Sequence, residues 1–127
     1  MERMKQRIAT AKKALKTFDE VLKLKETSTV QRDAAIQRFE YTFEAVWKAA
    51  KHYLFKIEGI DVGSPKGVFR SLREVGLLED NETKIALQMV DDRNRTSHTY
   101  NEEIAVQIYE RLPEYFHILK KIIVVLQ

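Results

Sequence analysis

The chain contains no cysteine, so a disulfide framework and a thiolate metal site are excluded. Histidine is scarce. His52, His98 and His117 are the only three, and no pair stands at HxxxH or a similar ligand spacing, which argues against a structural zinc. With four glycines and two prolines, no glycine-rich phosphate loop and no nucleophile elbow is present, and no paired carboxylates are arranged for two metals. No apolar stretch is long enough to span a bilayer. The opening MERMKQRIATAKKAL scatters charges among its apolar residues, unlike a signal peptide. Period-two alternation, hairpin signals and internal repeats are missing as well, so nothing points to a sheet.

What is present describes a single domain over residues 1–127. Hydrophobic content of 44% and charged content of 32% fit a soluble globular chain, expected in the cytoplasm, with no cofactor or metal. The net charge of +3 is uneven. Residues 1–25 hold eight Lys/Arg against three Asp/Glu, a net of +5, and the rest of the chain is net −2.

The apolar spacing predicts an all-α, antiparallel, up-and-down bundle of about five helices, four long and one short. Helix one covers about Glu2 to Lys25, with Ile8, Ala11, Leu15, Phe18 and Leu22 on one face. Lys5, Lys12, Lys16 and Lys23 share a stripe beside it, within ~40° of one another at ~100° per residue. That stripe reads as a solvated edge or as a ridge for phosphates. Helix two opens at STVQRD, where Ser28 with Gln31 fits a capping box and Thr29 is an alternative cap. Its stripe is Ile36, Phe39, Phe43, Val46, Ala50, Tyr53 and Ile57, and Gly59 stops it. Ser64 and Pro65 start a short third helix that ends at Gly76. Helix four spans about Asp80 to Arg95. Helix five starts near Asn101, backed by Glu102 and Glu103 at the positive end of its dipole, with Pro113 expected to bend it. Its closing run IIVVLQ is apolar on every side, which predicts a buried terminus or a contact with another subunit.

DDRNRTSHTYNEE, residues 91–103, is polar and rich in functional groups where helix four hands over to helix five. Arg93 shares the face of Ile85, Ala86, Met89 and Val90, so it aims inward and needs acceptors. Glu40 and Glu44, on the edge of the helix-two stripe near Trp47, are the expected partners. On physics alone Arg93 ties two helices together and His98 caps the end of helix four. A site built on the pair is the alternative, and physics alone favours the structural roles.

RNRTSHTY matches Arg-x4-His-x-Tyr. With IQRFEYTFEAVWKAAKHYL and SPKGVFRSLREVGLL, in this order, the chain resembles the HEPN domains (higher eukaryotes and prokaryotes nucleotide-binding), and more narrowly their nucleotidyltransferase substrate-binding, HepT-like branch. The resemblance covers nearly the whole chain. It implies an all-α homodimer that binds a cognate minimal nucleotidyltransferase, and a toxin that cuts RNA without metal while that partner serves as antitoxin. It also implies that Arg93 and His98 are the catalytic pair, with Asn94 in the polar position after the arginine. Tyr100 matches a tyrosine that the partner modifies with AMP.

The chemistry suits these types. A histidine of unperturbed pKa near ~6.5 takes or gives a proton at neutral pH. An arginine offers fixed charge and paired donors to phosphate oxygens. One chain has one such histidine, and a two-fold dimer would bring two pairs to one cleft. Three expectations stand side by side: an RNA-cleaving toxin subunit, a non-catalytic subunit that presents a nucleotide or substrate to a nucleotidyltransferase, and a structural helical dimer.

Overall fold

The computed structural model describes residues 2–25 and 28–127. It is all-α, with α1 over Glu2–Leu22, α2 over Thr29–Ile57, α3 over Pro65–Glu74, α4 over Asp80–Arg95 and α5 over Glu102–Val125. A single 3-10 turn, Thr96–His98, joins the last two. No strand occurs among the described residues.

Local chemistry sets most of the ends. Ser64 Oγ accepts the Gly67 N–H and Pro65 begins α3 with its φ already helical. Gly59 and Gly76 take φ of 70° and 85°, the left-handed conformation in which the Ile60 and Leu77 N–H groups reach back to Leu54 and Leu72 carbonyls. α1 stops at Leu22, short of the expected Lys25. The Ser28–Gln31 box forms by half. Ser28 Oγ accepts the Gln31 N–H, but the buried Gln31 side chain donates to the Val21 carbonyl and accepts from the Tyr109 hydroxyl. Tertiary acceptors outcompete the cap because burial makes an unpaired amide costly.

Paired contacts give the directions. Gln31, Arg38 and Thr42 of α2 reach the carbonyls of Val21, Thr17 and Ala14, so α1 and α2 are antiparallel. Asp92 meets Arg111 while Glu82 meets Lys121, so α4 and α5 are antiparallel too. α2 is central, packed on α1, α3 and α5. Phe18, Phe39, Phe43, Phe69 and Tyr115 form a connected aromatic core, with Phe39 stacked on Tyr115 at 5.6 Å. Each such side chain contributes roughly 1.5–3 kcal/mol on burial.

One stripe differs from expectation at its end, and the apolar terminus takes the buried alternative. Ile57, the last residue of the helix-two stripe, is half exposed. Ile122, Ile123 and Leu126 of the apolar terminus are buried in this chain's own core, leaving Val124 outside. α5 runs on through Pro113, whose ring is exposed. No helix among the described residues is long and apolar enough to cross a membrane.

Candidate functional site

The α4–α5 junction is built by short-range bonds. Thr96 Oγ1 donates to the Arg93 carbonyl at 2.7 Å and closes the last turn of α4. The 3-10 turn follows, and the Asn101 N–H donates to the His98 carbonyl. Asn101 Oδ1 then accepts the N–H groups of Glu103 and Ile104 and starts α5. Arg32 clamps Glu102 with two bonds, at 2.7 and 3.2 Å, and ties the start of α5 to the start of α2. The Arg32 guanidinium also holds the Glu102 carboxyl below the usual range, through the hydrogen bond first and its charge second.

Arg93 points at α2 as its helical face requires. Its Nη1 lies 3.3 Å from Glu40 Oε2 and donates to Thr96 Oγ1 at 3.0 Å, and its Nη2 lies 3.5 Å from Glu44 Oε1. Both carboxylate contacts exceed the ~2.7–2.9 Å of a strong charge-assisted bond. The guanidinium is therefore oriented by Glu40 and Glu44 but not saturated by them.

His98 is exposed, and its Nδ1 is 3.1 Å from the Tyr100 hydroxyl. The two rings meet edge to face, with centroids 5.7 Å apart. Tyr100 is 84% exposed, so its hydroxyl is open to a second protein. Asn94 is exposed next to Arg93, and its carbonyl accepts the Ser97 hydroxyl.

Behind this surface lies an arrangement the periodicity did not reveal. Asp92, immediately before Arg93, is 1% exposed. It accepts from the Tyr115 hydroxyl at 2.6 Å and from Arg111 Nη1 at 2.9 Å, and Arg95 Nη1 reaches it at 3.1 Å. Arg95 continues to Gln107 at 2.6 Å. Burial, then the Asp92 bond, pushes the Tyr115 hydroxyl far above the ordinary phenol range. Arg111 is raised by its bond to Asp92. Arg93 thus leaves α4 on one side toward α2 while Asp92 locks the same turn to α5 on the other. The signal was faint: a run of Asp91, Asp92 and Arg93, with Arg111 and Tyr115 spaced as one helical turn.

The lysine stripe lies elsewhere. Lys12 and Lys16 border a hollow with Phe116 and Lys120 of α5, and Lys23 pairs with Asp19 at 2.9 Å. Lys5 is exposed on that same side of α1.

This chain is a member of the nucleotidyltransferase substrate binding protein like family, whose model matches residues 6–127. It belongs to the HepT-like HEPN branch that the motif suggested. It is 34% identical over 85 residues to a probable ribonuclease HepT of Haemophilus influenzae, covering 64% of this chain and 57% of that protein's length. The solved structure of a Thermus thermophilus protein, 55% identical, superposes with a TM-score of 0.89 over 92% of this chain and 98% of the other. A tri-AMPylated HEPN toxin of Shewanella oneidensis in complex with its MNT antitoxin shares the fold at 21% identity, with a TM-score of 0.73 over 96% and 94% of the two chains.

Proposed function

We propose that this chain is the toxin subunit of a toxin–antitoxin pair, a metal-independent endoribonuclease that uses Arg93 and His98 and is controlled by a cognate minimal nucleotidyltransferase. The observation that carries the reading is the His98 Nδ1 contact with Tyr100 on an exposed junction, just after the turn that holds Arg93. The similarity to a probable ribonuclease HepT supports it.

In the proposed reaction the 2′-hydroxyl of the RNA attacks the adjacent phosphorus as a base removes its proton. The P–O5′ bond breaks, and the leaving oxygen takes a proton from an acid. The products are a 2′,3′-cyclic phosphate and a free 5′-hydroxyl. His98 serves one proton step through Nε2 while Tyr100 holds Nδ1. The His98 of a second copy in a homodimer serves the other. Arg93, with Asn94 beside it, meets the charge that builds on the phosphorane oxygens. Glu40 and Glu44 keep the guanidinium aimed.

The partner's control acts at Tyr100. Attack of its oxygen on the α-phosphorus of ATP releases pyrophosphate and leaves AMP on the ring. The Tyr100 oxygen that met His98 is then esterified, and an anionic phosphodiester stands where RNA phosphate would bind. AMP addition to a HEPN toxin of this fold is seen in the tri-AMPylated Shewanella oneidensis protein.

The experiment is incubation of purified protein with cellular RNA in EDTA, alone and after treatment with the partner and ATP–Mg²⁺. Cleavage that disappears in Arg93→Ala and His98→Ala supports the reading. Absence of cleavage with or without metal favours the second reading, a non-catalytic binding subunit, which the family's substrate-binding description independently suggests.

A further inference from the structure

Glu44 has two neighbours besides Arg93: its Oε2 accepts the Trp47 indole N–H at 3.1 Å and lies 3.8 Å from Lys48 Nζ. It also lines a hollow of about 670 Å³ between α1 and α2, together with Arg3, Arg7, Tyr41 and Lys48. Arg7 and Lys48 also border an adjoining hollow of about 580 Å³, where Trp47, Lys51, His52 and Phe55 take over. Arg3, His52 and Lys56 edge a third. The three form one groove along the α1–α2 seam, and one end of it reaches the carboxylate that holds Arg93.

The groove is cationic and aromatic together. Five Arg and Lys side chains face it against Glu2, Asp61 and Glu44, and Glu44 is shared among Arg93, Trp47 and, at 3.8 Å, Lys48. Tyr41 is 59% and Phe55 52% exposed, although each is large enough to gain from burial. Arg7 Nε is buried with no hydrogen-bond partner among the described residues. The surrounding charge is felt by His52, which burial first, and then Arg7, Lys56 and Arg3, hold below the usual histidine value.

We propose that this groove carries single-stranded RNA to the Arg93 site, with its phosphates on Arg3, Arg7, Lys48 and Lys51 and its bases against Tyr41, Trp47 and Phe55. Basic side chains track the phosphates and aromatic faces take unstacked bases. A duplex keeps its bases stacked and out of reach, so the groove selects single strands. A second copy of this chain is a poorer occupant, since a two-fold contact would set these cations against themselves. The Lys12–Lys16 stripe does not serve this path, because it lies roughly 180° around α1 from Arg3 and Arg7.

The inference rests on RNA being the substrate, and its test keeps the two claims apart. His98→Ala protein is titrated into a labelled, short, single-stranded oligoribonucleotide at several salt concentrations. Adding Arg7→Glu and Lys51→Glu is expected to weaken binding at least ~tenfold and to lower the salt slope by about 1.4. Tyr41→Ala with Phe55→Ala, which removes two stacking faces, is expected to weaken it at least ~30-fold with the slope kept. Arg7→Gln with Lys51→Gln replaces the charge reversal if circular dichroism shows lost helix. No binding by the His98→Ala chain overturns the proposal. So does unchanged affinity in the groove variants, a larger loss in Lys12→Glu with Lys16→Glu, or loss of nucleotidyltransferase or subunit binding with RNA affinity intact. Wild-type cleavage is scored on the same RNA. A chain that binds through the groove but cuts nothing sustains the groove and sinks the nuclease. A chain that cuts, with groove variants unaffected, sinks only the groove.

Discussion

The Tyr115 hydroxyl donates to the Asp92 carboxylate at 2.6 Å, 23 residues back in the chain. This bond and the Arg111 contact fix the final turn of α4 against α5, one residue from Arg93. Removing the carboxylate strands Arg111 and Arg95, which are each about one third exposed, so water recovers part of the loss. Asp92→Ala is expected to cost about 2–3 kcal/mol in urea unfolding. Tyr115→Phe, which leaves the ion pairs in place, should cost about 1 kcal/mol.

Arg93 lies between Glu40 and Glu44, and both contacts are longer than strong ion pairs. Glu40→Gln and Glu44→Gln should each lower stability by no more than about 1 kcal/mol, since the pairs are partly exposed. Both should tighten RNA binding because a competing anion is gone, as read by fluorescence anisotropy. Arg93→Ala should lower cleavage at least ~100-fold with helicity retained. Weaker RNA binding in the Gln variants would show that the carboxylates are needed to hold the arginine in place.

Tyr100 is exposed and bonded to His98. With ATP, Mg²⁺ and the partner nucleotidyltransferase, intact-mass spectrometry is expected to show added adenylate that Tyr100→Phe does not acquire. Tyr100→Phe should cut RNA within about tenfold of the parent, because an orienting bond is lost and not the proton carrier, and should escape silencing. Equal mass gain on both chains would place the modification elsewhere.

Glu82 joins α4 to α5 through Lys121 and accepts the Glu79 N–H at 2.8 Å. The Lys121 bond, ahead of all else, holds its carboxyl below the ordinary value. A carboxyl depressed on folding binds fewer protons than in the unfolded chain. Its contribution is therefore complete above ~pH 4.3 and fades as pH falls through the lower folded value. Glu82→Gln should flatten the acid side of the stability–pH curve and leave its neutral-to-alkaline slope unchanged. An unaltered acid limb in urea titrations would assign the acid sensitivity to other carboxylates.

Homodimerisation is expected from the proposed two-site mechanism and is read by light scattering at micromolar concentration. The buried Ile122, Ile123 and Leu126 place less apolar surface outside than the closing run IIVVLQ suggests. Exposed Val106 and Val124 of α5 are the test positions. Substituting them with Asp should shift the mass toward the monomer.

The five helices and most of their ends were legible in the sequence, because those signals are local. Ser64–Pro65, Gly59, Gly76 and Asn101 act on backbone groups within a few residues, and the apolar stripes need only the helical repeat. The Arg93 partners Glu40 and Glu44 could be anticipated because each lies on the inward edge of its own helix. Asp92 could not. A carboxylate at a helix end looks alike in water and in a core until Arg111 and Tyr115 arrive from α5. Gln31 abandoned half of its cap for the same reason, since Val21 and Tyr109 become its partners only when three helices meet. The aromatic and basic lining of the α1–α2 seam likewise comes from two helices, each of which alone shows only scattered charges. Local backbone chemistry and periodicity wrote the helices. Tertiary packing decided which polar groups lost their water, and so which of them had to find one another.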